Sequence, residues 1–162
     1  MYVLSSEEAI VATHLERAGI EPVKSLLQVV QFTQQHRALS ANVLAGNAGM
    51  EAQRAAKQAE VDKAVETFGA IVGSMGNAKI AAGWDSAVRN WQALAQSVAG
   101  RSISARETIP RHTGLIAEHL ASLDLALDHY GLSLDPDSVG YFLVMAVMAD
   151  QPKLLEALGQ AR

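Results

Sequence analysis

Two arginines interrupt the apolar stripes of two neighbouring predicted helices. Gln34 and Arg37 stand in an otherwise apolar stripe, and Arg54 holds a stripe position on the next helix. The turn at Gly46 comes about nine residues after Arg37 and about eight before Arg54. An antiparallel helix pair would bring the two guanidiniums to a similar height. Like charges at one level repel unless an anion lies between them, and a guanidinium binds two oxygens of a carboxylate or nitrate-like anion at once. The spacing therefore indicates a site for a small anion.

The same arginines also have a structural interpretation. Each could pair with an acid such as Glu51 or Asp62, or extend its guanidinium into solvent while its methylene stem covers apolar surface. The polar stripe positions would then set the register and pairing of the helices, without a pocket. A structural or protein-interaction bundle, with a dimerisation role, is therefore the alternative to a ligand-binding module.

The histidines do not show the spacing of a bundle metal site. Di-iron bundles use Glu-x-x-His pairs, and no Glu of this chain has a His three positions later. His112 and His119 are seven positions apart on one helix face, so they would need a third ligand from another helix to hold a metal. We expect two partly buried imidazoles in hydrogen bonds, without a metal or a cofactor. No local motif pairs a nucleophile with a base, so we do not expect an enzyme.

The elements that position these residues follow from the apolar periodicity, which predicts about five helices. The first stripe is Ile20, Val23, Leu27, Val30, Gln34, Arg37, Ala41 and Leu44, and the second is Arg54, Gln58, Val61, Val65, Phe68 and Val72. The third is Ile80, Trp84, Ala87, Trp91, Leu94 and Val98, and the fourth is His112, Ile116, His119, Leu123, Ala126 or Leu127, and Tyr130. The two tryptophans are expected in the core, although one could line a pocket or a dimer surface.

Turn and capping residues separate the stripes. Glycines mark the breaks, at 46 and 49, at 73 and 76, at 100 and at 131. Ser104 and Glu107 form a capping box at the start of the fourth helix, where Pro110 predicts an irregular first part. Gly19 and Pro22 predict a kink or a restart in the first helix. A turn at 134–138 leads into a fifth helix that is apolar on nearly every side and bends near Pro152.

Composition limits the possible functions. The 162 residues suit a single domain, 1–162, with 49% hydrophobic and only 5% aromatic residues. The net charge of -4 argues against nucleic acid as a partner, and the absence of Cys excludes disulfides and thiol catalysis. The N-terminus lacks a signal-peptide pattern, and the longest apolar stretch is about half a membrane span. We expect any membrane anchor to lie outside this chain.

The fold that these features predict is an all-α, antiparallel up-and-down bundle, similar to a four-helix bundle with one helix added. A fifth helix that is apolar on nearly every side needs more partners than four helices offer. We therefore expect that the chain is a piece of a longer protein, or that it forms a homodimer.

Several stretches resemble the helical sensor regions of bacterial transmembrane receptors. The first ones are LERAGI at 15–20, QQHRALSA at 34–41 and LAG at 44–46. The later ones are HTGLI at 112–116, HYGLSLDPD at 129–137, YFL at 141–143 and LGQAR at 158–162. The HRALSA piece also resembles the Glu-Arg-Gly-Leu-Ser pattern of nitrate- and nitrite-sensing domains, with His36 in place of Glu and Ala38 in place of Gly.

The resemblance implies a role and a location. Such regions occur in methyl-accepting chemotaxis proteins, sensor histidine kinases and diguanylate cyclases, as dimeric periplasmic bundles between two membrane helices of an inner-membrane protein. A small, anionic ligand would bind between helices and shift a helix or the dimer. The candidate ligand-binding residues are Gln34, Arg37 and Arg54, together with Ser40 of the HRALSA piece.

Overall fold

The protein is an all-α bundle. The computed structural model describes residues 6–133, 142 and 145–160, and for 6–10 and 12 the backbone alone. This part contains the helices α1 (Ser6–Leu44), α2 (Glu51–Met75), α3 (Ala78–Ala99), α4 (Ala105–His129) and α5 (Gln151–Gln160), and no strand. A 3₁₀ turn (Ala48–Met50) precedes α2 and a π-helical turn (Met145–Asp150) precedes α5. The turn predicted at 134–138 and most of the apolar start of the fifth helix lie outside the described residues.

The first four helices form a closed ring. α1 packs against α2 and α4, and α3 completes the ring through its contacts with α4 and α2. α5 lies on the outside of this ring against α1 and α4, and it runs antiparallel to α4. The predicted antiparallel bundle of five helices is confirmed.

Local sequence signals fix the helix ends. Ser104 accepts from the Glu107 backbone N–H while the Glu107 carboxylate accepts from the Ser104 backbone N–H, so the predicted capping box is present. Gly76, after the last residue of α2, has the left-handed φ of 65° that favours glycine at this position. The fifth helix was predicted to bend near Pro152, the second residue of α5, and a π-helical turn directly precedes this helix.

Three features of the helices differ from the predictions. Of the kink or restart predicted for α1, the restart is absent, because α1 runs without interruption through Gly19 and Pro22. Gly19 is instead a packing residue, since a Cβ there would lie 2.5 Å from the Cβ of Tyr130. α4 is regular from Ala105 through Pro110, and α2 continues through Gly73 to Met75.

The buried stripe of α1 is also rotated from the predicted one. Ile20 is 40% exposed, and Leu27 is only partly buried. The inward face consists of Val23, Leu26, Val29, Val30, Thr33, His36, Arg37, Ser40 and Val43. Sequence periodicity therefore missed the inward orientation of His36, which lies next to the predicted Arg37 on the same broad face.

The core lies inside the ring of four helices. The predicted stripes of α3 and α4 are buried at every position, and in α2 only Gln58 is less than fully buried. Trp84 and Trp91 are both in the core, as expected. None of the helices in the described residues combines the length and the apolar character needed to cross a membrane.

Candidate functional site

A hydrogen-bonded pair of histidines lies at the centre of the site. His36 on α1 and His112 on α4 are both fully buried, and Nδ1 of His36 is 2.9 Å from Nε2 of His112. His112 Nδ1 lies 2.8 Å from the backbone carbonyl oxygen of Thr108, which can only accept. His112 therefore donates from Nδ1 and accepts at Nε2, and His36 donates from Nδ1. Ser40 Oγ lies 3.4 Å from the remaining nitrogen of His36.

Burial keeps both imidazoles of this histidine pair neutral. Desolvation, followed by the neighbouring His112 and the Arg54 charge, lowers the pKa of His36 to about 3. Desolvation, with a further contribution from Arg37, lowers the pKa of His112 to about 4 against the opposing hydrogen bond to Thr108. The Arg54 charge thus helps to lower the pKa of one imidazole, and the Arg37 charge helps to lower that of the other.

Trp91 closes one side of the histidine pair. Its ring meets that of His36 edge to face, with the centroids 5.0 Å apart. The indole Nε1 donates to Asp62 on α2 at 2.7 Å, which fixes the ring. Asp62 was an expected partner for an arginine, and in the structure its carboxylate holds Trp91.

Arg54 is buried but already paired. Its guanidinium donates to Glu51 at 2.7 and 3.0 Å, and to Gln58 at 2.6 Å. The hydrogen bond from Arg54 is the largest cause that lowers the pKa of the Glu51 carboxyl. All three residues belong to α2, so Arg54 has the local acid that the structural interpretation expects.

Arg37 is paired across the fold. Its Nη1 lies 2.5 Å from a carboxylate oxygen of Glu156 on α5 and donates to Thr113 on α4 at 3.0 Å. Gln34, one turn earlier on α1, donates to the other oxygen of Glu156 at 3.0 Å. Arg37 and Glu156 are only 8% and 7% exposed. The positive charge predicted to bind an anion therefore binds a carboxylate of the chain itself.

An open cavity adjoins Arg37. Its volume is about 340 Å³, and it lies between α1, α4 and α5. The cavity is lined by Gln34, Gln35, Arg37, Ala38, Ala41, Ile109, Leu155 and Gly159. A small planar anion fits this volume, and Gln34 and Arg37 belong to the lining.

The predicted residues thus fall into two groups. Gln34 and Arg37 share a partner, Glu156, and line the cavity. Ser40 lies beside His36, and the Arg54 charge lowers the pKa of that imidazole. The part that sequence reasoning missed is His36 and Glu156. An inward position four residues before Ser40 could have indicated His36, but nothing in the sequence links Glu156 to a residue 119 positions away.

His119 is a buried histidine outside this group. It is fully buried next to Trp84, with the ring centroids 5.6 Å apart. Neither of its ring nitrogens has a hydrogen-bond partner among the described residues, so the hydrogen bonds expected for both α4 histidines exist only at His112. Desolvation lowers the pKa of His119 to about 4. No three His, Asp or Glu side chains of the described ranges come together as a metal site.

Comparison with known proteins gives the family. The family described as nitrate and nitrite sensing matches residues 28–148, which is well over half of the chain. The chain belongs to this family, whose sensing domains are found in bacterial chemoreceptors and sensor kinases and are not catalytic. No curated protein and no solved structure matches the chain. The resemblance of the HRALSA piece is therefore confirmed at the level of the family.

Proposed function

We propose that this member of the nitrate- and nitrite-sensing family binds nitrate or nitrite at Arg37 and reports the binding through a shift of its helices. The domain would act as the extracytoplasmic, periplasmic region of a receptor of the inner membrane, with the membrane anchors outside residues 1–162. Family membership supports sensing in signal transduction. The residues, the compartment and the mechanism are our proposal.

The observation that carries the proposal is the buried Arg37 guanidinium next to a cavity of about 340 Å³. Nitrate, nitrite and carboxylate present planar oxygens with a delocalised charge, which a guanidinium matches with parallel hydrogen bonds. A guanidinium is also weakly hydrated for a cation, so it can bind an anion in a largely dehydrated site. The neutral histidine pair leaves the positive charge of the site to the arginines.

The four candidate residues would have different roles. Arg37 and Gln34 would contact the anion, because both already hold a carboxylate at this place. Ser40 would act through His36, whose ring its hydroxyl adjoins, and Arg54 would act through its charge on the same imidazole. Loss of Arg37 should therefore remove binding, whereas loss of Arg54 should weaken it.

Titration calorimetry and thermal shift with nitrate, nitrite and small carboxylates test this assignment. Nitrate or nitrite at about 100 times its Kd should stabilise the wild type by about 2.7 kcal/mol. Arg37→Lys keeps the charge but loses the paired donors, so its response should fall. Arg37→Ala should not respond, and Arg89→Ala, which removes an exposed arginine of α3, should respond as the wild type does. The assignment is wrong if no anion stabilises the protein or if Arg37→Ala responds equally.

A structural or interaction module is the second candidate. The pairing of Arg37 with Glu156 is what this alternative expects, and α5 exposes leucines that a partner could cover. Dimerisation is also part of the sensor proposal, so self-association alone does not separate the two. A folded wild type that binds none of these anions and still self-associates would favour the interaction module.

A further inference from the structure

α5 is attached to the bundle mainly by a charge. Of its ten residues only Pro152 and Glu156 are buried. Leu154, Leu155 and Leu158 are 59%, 52% and 56% exposed. A helix on a bundle surface normally attaches through an apolar stripe. The ion pair of Glu156 with Arg37 therefore holds a large share of the contact between α5 and the ring of helices.

The Glu156 carboxylate occupies the place that a free oxyanion would take. Its two oxygens accept from Arg37, from Gln34 and from Gln160. The guanidinium also lies against the α5 backbone, because a Cβ at Gly159 would be 2.7 Å from its Nη2. α5 thus covers Arg37 with a carboxylate on one turn and a glycine on the next.

We infer that Glu156 is a built-in competitor for the anion site, and that a bound anion displaces it from Arg37 and releases α5. This inference rests on the proposed function, since it names how the same site is regulated. Glu156 lies outside the residues 28–148 that match the family.

The exchange of one anion for another avoids the main cost of breaking a buried ion pair. Removal of one partner leaves an uncompensated buried charge, which is strongly unfavourable. A nitrate that replaces the carboxylate keeps Arg37 paired, while Glu156 moves to water. Because Glu156 is tethered, it competes at a high effective concentration. The site would therefore respond only at anion concentrations high enough to compete with the tethered Glu156 carboxylate.

The second ion pair of α5 is weak. Lys153 pairs with Asp124 on α4 at 2.8 Å, but both side chains are about half exposed. Exposed ion pairs of this kind contribute little to stability. Once Glu156 leaves Arg37, Pro152 is the buried residue of α5 that remains. The preceding turn stays attached through Ala149, which is buried in the core, so the release concerns the part of α5 beyond this turn.

The first test uses the Glu156→Gln variant. Titration calorimetry measures its affinity for nitrate and nitrite. Removal of the competing charge should lower the Kd by at least about tenfold, because the free anion no longer competes with a tethered carboxylate. Glu156→Asp keeps the charge on a shorter arm and should give an intermediate Kd, and circular dichroism shows that each variant is folded. Glu60→Gln, which removes an exposed acid of α2, should leave the Kd unchanged.

The position of α5 is the second test. The chain has no Cys, so Leu158→Cys on α5 and Arg89→Cys on α3 accept spin labels at two known places. Saturating nitrate should lengthen and broaden the measured distance between the labels, and Arg37→Ala should abolish the change.

The outcomes separate this inference from the proposed function. If the wild type binds nitrate through Arg37, but Glu156→Gln binds it no more tightly and α5 keeps its distance, the competition is refuted and the anion site stands. If neither the wild type nor folded Glu156→Gln binds any anion, the anion site itself is refuted. Tighter binding by Glu156→Gln together with movement of α5 supports both.

Discussion

Three imidazoles in the interior make the stability of the protein depend on pH. His36, His112 and His119 are fully buried, and desolvation lowers their pKa values to about 3, 4 and 4. In the unfolded chain they take up protons near pH 6.5, the ordinary pKa of histidine. Between these values the unfolded state binds more protons than the folded state, so the free energy of unfolding falls as the pH falls from about 6.5 towards 4.

The free energy of unfolding should therefore fall more steeply on acidification than it does in a protein whose histidines are exposed. Each buried imidazole contributes about 1.4 kcal/mol per pH unit within this window. Urea unfolding at pH 7, 6 and 5 measures the slope. His119→Leu should reduce the slope by the share of one imidazole. His14→Gln, which removes an exposed histidine, should leave the slope unchanged. A flat profile between pH 6.5 and 5 would show that the imidazoles are not held neutral in the interior.

Residue types drew attention to two members of the candidate site, Arg37 and Arg54, but not to His36 and Glu156. Arg37 and Arg54 were found because a charge in an apolar stripe is conspicuous. His36 was missed because the inward face of α1 is broad enough to bury both His36 and Arg37, so a single three-and-four pattern describes only one edge of it. The hydrogen bond between His36 and His112 joins α1 to α4. The periodicity of α1 alone does not show which residue of α4 lies opposite His36.

Two glycines of the helices differ in the space that a side chain would have. A Cβ at Gly19 of α1 would lie 2.5 and 2.6 Å from the Cβ and Cγ of Tyr130, at the end of α4. These atoms are close to the backbone and cannot move away cheaply. A Cβ at Gly83 of α3 would meet nothing within 4 Å. Gly19 was predicted, with Pro22, to mark a kink or a restart, but the residue allows α1 and the end of α4 to approach each other closely.

The two alanine substitutions should therefore change stability in opposite directions. Gly19→Ala should destabilise the protein by about 1–3 kcal/mol through overpacking against Tyr130. Gly83→Ala should stabilise it by about 0.5–1 kcal/mol, because alanine loses less backbone entropy in a helix. Urea midpoints of the two variants and the wild type measure both effects. A stabilised Gly19→Ala would mean that α1 and the end of α4 are not packed this closely.

The ends and buried faces of single helices were predicted better than the contacts between helices. The capping box at Ser104 and the glycine after α2 were identified because these signals act within a few residues of chain. The stripes of α3 and α4 were identified because a strictly repeated pattern of large side chains sets the buried face. The ion pair of Glu156 with Arg37 was not predicted, since it depends on where α5 lies against the ring of helices.

Among the helices of the described residues, α1 is much longer than the others. α1 has 39 residues, and α2 and α4 have 25 each, so at about 1.5 Å per residue α1 is roughly 20 Å longer than either. Val11 and Leu15, four positions apart on the N-terminal part of α1, are 67% and 42% exposed. An apolar face of this kind, unpaired within the described residues, is suited to a second copy of the chain.

We therefore expect a homodimer that pairs along the N-terminal part of α1. Sedimentation velocity across a range of concentrations should show a monomer–dimer equilibrium, and Leu15→Glu should shift it to monomer because a buried charge without a partner is costly at such an interface. Ala82→Glu, an exposed position on α3, should leave the equilibrium unchanged. If Leu15→Glu dimerises as strongly as the wild type, the pairing surface is elsewhere, and the exposed leucines of α5 are the next surface to test.

If nitrate also changes the dimer equilibrium of the wild type but not of Arg37→Ala, the anion site and the pairing surface are coupled, since a ligand shifts an equilibrium only when it binds the two states unequally.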